Sequence, residues 1–128
     1  MHSITANIAV KNAREASDFY ASVFGGSVVE FIETEQGCEF AHVKISPHTS
    51  IYLHDTETVV SGSQIRLSIA LHDIKETHKL FSALSEGGAV IKDLHKPEWA
   101  ELYGEVRDKY GVLWTLDSGF GEDILLKE

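Results

Sequence analysis

A single cysteine, Cys38, occurs in the 128 residues. No intrachain disulfide can form, and a reducing, cytoplasmic setting is the expectation. No apolar run approaches the length of a membrane-spanning helix, so no membrane partner is expected. The opening MHSITANIAV lacks the basic start and long apolar core of a secretion signal, so no leader is expected. Basic residues are scarce. Eleven Lys and Arg against twenty Asp and Glu give a formal net charge of −9, which disfavours a nucleic-acid backbone as partner and is compatible with a cationic ligand. Nucleophile elbow, phosphate loop and paired CxxC are all missing, which removes the enzyme classes built on them. With 43% apolar and 24% charged residues, the chain has the composition of one globular domain with a sizeable core.

The order of elements can be read from periodicity and from turn chemistry. Ile4 to Val10 alternates weakly and predicts a strand. Asn12, with Glu15 three residues on, opens a helix in the manner of a capping box. Ala16, Phe19, Tyr20, Val23 and Phe24 give that helix one apolar stripe, and Gly25-Gly26 stops it. Three strands follow: Ser27 to Thr34, Cys38 to Ile45 and Ser50 to Asp55. A polar stretch from Thr56 to Ser63 reads as a linker. The plan then repeats. Gln64 to His72 alternates, with Ile65, Leu67, Ile69 and Leu71 on one face. Asp73 caps a second helix carrying Ile74, Leu80, Phe81 and Leu84, and Gly87-Gly88 stops it. Ala89 to Leu94 is a strand. Two capped helices, each ended by Gly-Gly and each followed by strands, recur at a nearly fixed offset, which one duplicated βαβββ unit explains.

The repeat closes on YGEVRDKYGVLWTL, Tyr103 to Leu116. Leu102 to Arg107 alternates apolar and polar, Asp108 opens a turn, Gly111 supplies a positive-φ position, and Val112 to Leu116 resumes the alternation. Tyr103, Glu105 and Arg107 share the polar face. Trp114 shares a face with Val112 and Leu116, which predicts core packing for it. The tail beyond Leu116 gives no assignable pattern.

This hairpin and the segment NAREASDFYASVFGG resemble the vicinal-oxygen-chelate superfamily of glyoxalase, bleomycin-resistance and extradiol-dioxygenase proteins. Both pieces look most like its 3-demethylubiquinone-methyltransferase-like, phosphonate-operon-like subgroup. The resemblance spans Ile4 to Leu116. It implies an α+β fold of duplicated βαβββ modules, whose curled mixed sheets surround a concave pocket. The expected layout is a single domain over 1–128: module one at about 1–60, module two at about 61–118, and a C-terminal tail over 119–128.

Metal-dependent members of the superfamily hold a divalent ion with His and Glu. Residue by residue, those four positions fall near Thr5, Tyr52, Arg66 and Thr115. A guanidinium offers no lone pair, and Thr and Tyr are poor ligands beside His and carboxylate. No metal and no other cofactor is therefore expected. His42, His54 and Glu105 would be chemically sufficient for a displaced metal or acid/base site. If the helices cover the aliphatic strand faces, the opposite faces present Tyr52, His54, Arg66, Tyr103, Glu105 and Arg107 to the pocket. Trp99, after Lys96-Pro97-Glu98, joins them from a loop. These seven are the expected ligand-binding residues; no catalytic residue is assigned. Arg66 and Arg107 suit either an anionic group or an ion pair with Glu105.

Two functions follow from the resemblance. The first is a glyoxalase- or bleomycin-resistance-like protein that binds a small molecule in a metal-free pocket, working as a homodimer. The alternative is a lyase, isomerase or dioxygenase of the same superfamily that uses the displaced site.

Overall fold

A computed structural model describes residues 3–35 and 37–119. The tail expected over 119–128 lies outside the described residues beyond Gly119, as does the side chain of Cys38. The element order is β1 (Ala6–Val10), α1 (Ala13–Phe24), β2 (Ser27–Thr34), β3 (Gly37–Ser46), β4 (Thr49–Asp55), β5 (Leu67–Leu71), α2 (Ile74–Ser85), β6 (Ala89–His95), β7 (Leu102–Arg107) and β8 (Leu113–Ser118). The chain divides into two compact units, one up to Val60 and one from Ser61. Each is a βαβββ module with its own mixed four-stranded sheet, ordered β1-β4-β3-β2 in the first and β5-β8-β7-β6 in the second. The outer strand of each pairs in parallel (β1 with β4, β5 with β8) and the remaining pairs are antiparallel. The fold is α+β. Among the described residues, no helix is long and apolar enough to cross a membrane.

The helix ends follow from their sequence signals. Asn12 sits in extended backbone, and its side chain accepts the Glu15 N–H at 3.1 Å. Gly25 ends α1 at φ 69°, where a side chain would be strained. Asp73 caps α2 by accepting the Lys75 N–H at 2.9 Å. The second glycine of each pair does something else. A Cβ on Gly26 would collide with the Lys44 carbonyl, and one on Gly88 with the Arg107 carbonyl. Gly25 stops α1, whereas α2 already ends at Ser85 with Glu86 in extended backbone ahead of the expected Gly87-Gly88 stop; the second glycine of each pair then lays the chain directly over a sheet.

In the first unit, α1 buries Ala13, Ala16, Ser17 and Tyr20, while Ala41, Val43, Ile51 and Leu53 of β3 and β4 are buried. In the second unit, α2 buries Thr77, Leu80, Phe81 and Leu84, and Val106, Trp114 and Leu116 form the sheet's core side. Trp114 is in the core, as its alternation predicts. Three expected core members are not. Ile4 lies outside β1 and is exposed, Ile74 at the first position of α2 is exposed, and Ile65 is 77% exposed. β5 begins only at Leu67, where pairing with Trp114 begins. Ile65 has no partner strand beneath it, so its alternation with Leu67 buries nothing.

Candidate functional site

The second sheet has two unlike faces, and β7 shows which is which. A Cβ on Gly104 would touch Phe81 of α2 and Leu94, so Gly104 and Val106 face the helix. Tyr103 and Glu105, between and beside them, face away. The register carries the same division across the strands. Glu105 lies opposite Thr115 and Tyr103 opposite Asp117, while Ser68 and Ala70 pair with Thr115 and Asp117.

On that open face, Arg66, Ser68, Trp99, Tyr103, Thr115 and Asp117 line a cavity of about 470 Å³. Its polar groups are ordered by one carboxylate. The Tyr103 hydroxyl donates to Glu105 Oε2 at 2.7 Å, and Arg66 Nη1 pairs with the same oxygen at 3.2 Å. The Glu105 side chain is 12% exposed and that of Arg66 is 46% exposed, so the pair sits at the rim with its anion inward. Burial first, then the hydrogen bond to Glu105 and its charge, hold the Tyr103 phenol above its ordinary value, with Arg66 opposing. Tyr103 therefore stays a neutral donor well into alkaline pH. Thr115 Oγ1 donates to Ser68 Oγ at 2.8 Å. The Trp99 ring meets Tyr103 edge-on at 4.7 Å between centroids and is 47% exposed.

Asp117 is the member that sequence reading misses, because the strand expected to end at Leu116 continues to Ser118. Burial alone pushes its carboxyl above the usual carboxylate range. It has neither a hydrogen bond nor an ion pair through its side chain among the described residues.

The seven sequence-expected residues thus divide. Arg66, Trp99, Tyr103 and Glu105 come together. Arg107 shares their face, but its Nη1 donates to the Gly111 carbonyl at 2.8 Å and braces the hairpin turn. Tyr52 and His54 belong to the first unit, where they join a different cluster. There Tyr52 meets Phe40 at 4.8 Å and His42 at 5.1 Å, both edge-on. His42 Nε2 is hydrogen-bonded to Ser50 Oγ at 2.8 Å, and His54 Nδ1 to Asn7 Oδ1 at 2.7 Å.

The register also shows how the two modules diverged. Tyr52 lies opposite Asn7 and His42, as Thr115 lies opposite Ser68 and Glu105. Equivalent positions therefore carry a phenol, an amide and an imidazole in the first unit, and two hydroxyls and a carboxylate in the second. Among the described residues, no three His, Cys, Asp or Glu side chains converge as a metal-binding group.

A match to a family model covers residues 3–116, and its description is 3-demethylubiquinone-9 3-methyltransferase. The chain belongs to this family. A relative by sequence, an uncharacterised protein of Mycobacterium tuberculosis, is 24% identical over 125 aligned residues, covering 89% of this chain and 72% of that protein. The PhnB protein of Bacillus cereus superposes with a TM-score of 0.80 at 21% identity, over 91% of this chain and 99% of that one. A glyoxylase/bleomycin resistance protein/dioxygenase domain from Frankia gives 0.71 at 16% identity, over 93% and 98% of the two chains. These likenesses establish the fold shared by the family, that of the glyoxalase-like, vicinal-oxygen-chelate proteins.

The family description names a methyl transfer, and metal-dependent members of the wider fold family hold a divalent ion. At the positions expected to hold that ion, the residues present do not fit it. The expected ligand positions hold Thr5, Tyr52, Arg66 and Thr115. Of these, Arg66 is engaged with Glu105 and Thr115 with Ser68.

Proposed function

We propose that this protein binds a small organic molecule in the open cavity of its second unit, and does so without a resident divalent metal. The observation that carries the reading is the pairing of a half-exposed Trp99 with an internally satisfied Tyr103–Glu105–Arg66 chain around about 470 Å³ of space. Ligand sites combine an apolar or aromatic wall with a few fixed polar groups, and this volume falls in their ordinary range. An aromatic ring left at a cavity mouth is rarely explained by stability alone. Tyr103 cannot swing freely, because its hydroxyl is tied to Glu105, so the wall is held ready before a ligand arrives.

A mixture of planar aromatic fragments, screened by ligand-observed NMR against the protein and its Trp99→Ala variant, tests the reading. Hits should appear with the native chain and be lost with the variant at unchanged melting temperature. Hits retained equally by both would overturn it. The metal-free part has its own test, elemental analysis of protein purified without chelator. One tightly held Zn, Ni, Fe or Mn per chain would contradict it.

A further inference from the structure

We infer that the cavity of the second unit selects an organic cation with a flat aromatic body, seating its ammonium at Asp117 and its ring against Trp99. The inference rests on the reading of this cavity as a ligand site and adds the chemical class. Two charged side chains line the cavity, Arg66 and Asp117, and the first is paired with Glu105 beside it. Arg66 and Glu105 form an ion pair, so their two charges largely offset each other. Asp117 remains, with no cation or donor engaging its carboxylate among the described residues. A carboxylate partly withdrawn from water and left unpaired is an incomplete interaction, and a ligand ammonium completes it with a charge-assisted hydrogen bond.

The aromatic groups favour the same charge. Asp117 sits directly opposite Tyr103 across the β7–β8 pair, and Tyr103 touches Trp99. Carboxylate, phenol and indole therefore form one row across the open face. Ring faces are electron-rich and attract cations. An anionic ligand would meet the Asp117 carboxylate and the same ring faces, with Arg66 already paired with Glu105 and Arg107 donating to the Gly111 carbonyl. The hydroxyls of Ser68 and Thr115 hydrogen-bond one another, which leaves charge selection to Asp117. The chain's overall negative charge adds long-range attraction of the same sign.

Three probes with a common ring separate charge from shape: naphthylmethylammonium, neutral naphthylmethanol and anionic naphthylacetate. Each is titrated calorimetrically into the full-length protein and into its Asp117→Asn and Trp99→Ala variants at pH 7.5, with thermal melts confirming that each variant folds. The ammonium should bind at least about tenfold more tightly than the acetate. Asp117→Asn should remove most of that preference while leaving naphthylmethanol unchanged, and Trp99→Ala should weaken the ammonium and the methanol alike. Equal binding of all three probes, lost in Trp99→Ala, would overturn the cation selectivity and leave the ligand site standing. No binding by any probe, in any of the three proteins, would overturn both. Tighter binding of the acetate, or a preference that survives Asp117→Asn, would overturn the assignment of Asp117.

Discussion

Two aspartates of the closing hairpin, Asp108 in its turn and Asp117 on β8, have opposite relations to their surroundings. Asp108, 3% exposed, is fully used. Its Oδ1 accepts the N–H groups of Tyr110 at 2.9 Å and Val112 at 3.1 Å, and its Oδ2 accepts the Trp114 indole N–H at 2.8 Å. One side chain thus ties the turn of the hairpin to the core ring beneath it. Asp108→Ala should cost roughly 3 kcal/mol, since it strands several donors in poorly hydrated surroundings. A urea midpoint that moves by less than about 1 kcal/mol would contradict this. Asn is a poor replacement, because its amide NH₂ would face the indole N–H. Asp117 is the reverse case, a carboxyl raised by burial with nothing to repay it. A raised acid contributes its full stability only below the unfolded-state pKa, about 3.9, and loses it as pH climbs through the folded-state value. Asp117→Asn should therefore raise stability near pH 7 by less than about 1 kcal/mol, the site being open enough for solvent to screen it. It should change nothing near pH 3. Thermal melts at the two pH values check the sign, and a destabilised variant at pH 7 would refute it.

At the scale of elements, the repeat is written in its glycines. Gly26 and Gly88 pass over the carbonyls of Lys44 and Arg107, equivalent positions of β3 and β7. Gly26→Ala and Gly88→Ala should each destabilise by about 2 kcal/mol or more, because backbone has to move. Gly62→Ala, with nothing within 4 Å, should be neutral or slightly stabilising. Chemical denaturation of the three variants separates the cases, and equal effects would contradict the account. Caps, stops and alternation are local signals, which is why both helices and the course of β7 were legible in the sequence. β7 pairs with β8 without a bulge, so its alternation survives intact and places Tyr103 and Glu105 on one side of the sheet. What failed to read were features set by distant partners. The extension of β8 to Asp117 depends on Tyr103 and Leu102 lying opposite, and the glycines that follow gave no hint of it. Ile65 alternates like a strand residue, yet the partner strand starts too late to cover it. Trp99 could be read as an exposed aromatic, but its meeting with Tyr103 depends on the path of the β6–β7 loop.

For the whole molecule, we propose a closed two-fold homodimer, the commonest assembly for chains of this kind. The exposed Val29 and Ile32 on the edge strand β2, and Val90 and Ile91 on the edge strand β6, support it, since open apolar edges are surfaces a second copy can cover. Light scattering at micromolar concentration should give twice the 14.2 kDa chain mass, and a clean monomer would count against the pairing. The central claim, that ligand recognition resides at the open face of the second sheet, has a more direct test. The protein contains two tryptophans, one at the cavity and one in the core, and each gives its own indole N–H resonance in a ¹⁵N–¹H correlation spectrum. Titration with naphthylmethylammonium should shift the Trp99 indole and the amides of Tyr103 and Asp117, while the Trp114 indole, held by Asp108, stays in place. Shifts confined to His42, Tyr52 and His54 of the first unit, with Trp99 unmoved, would contradict the claim.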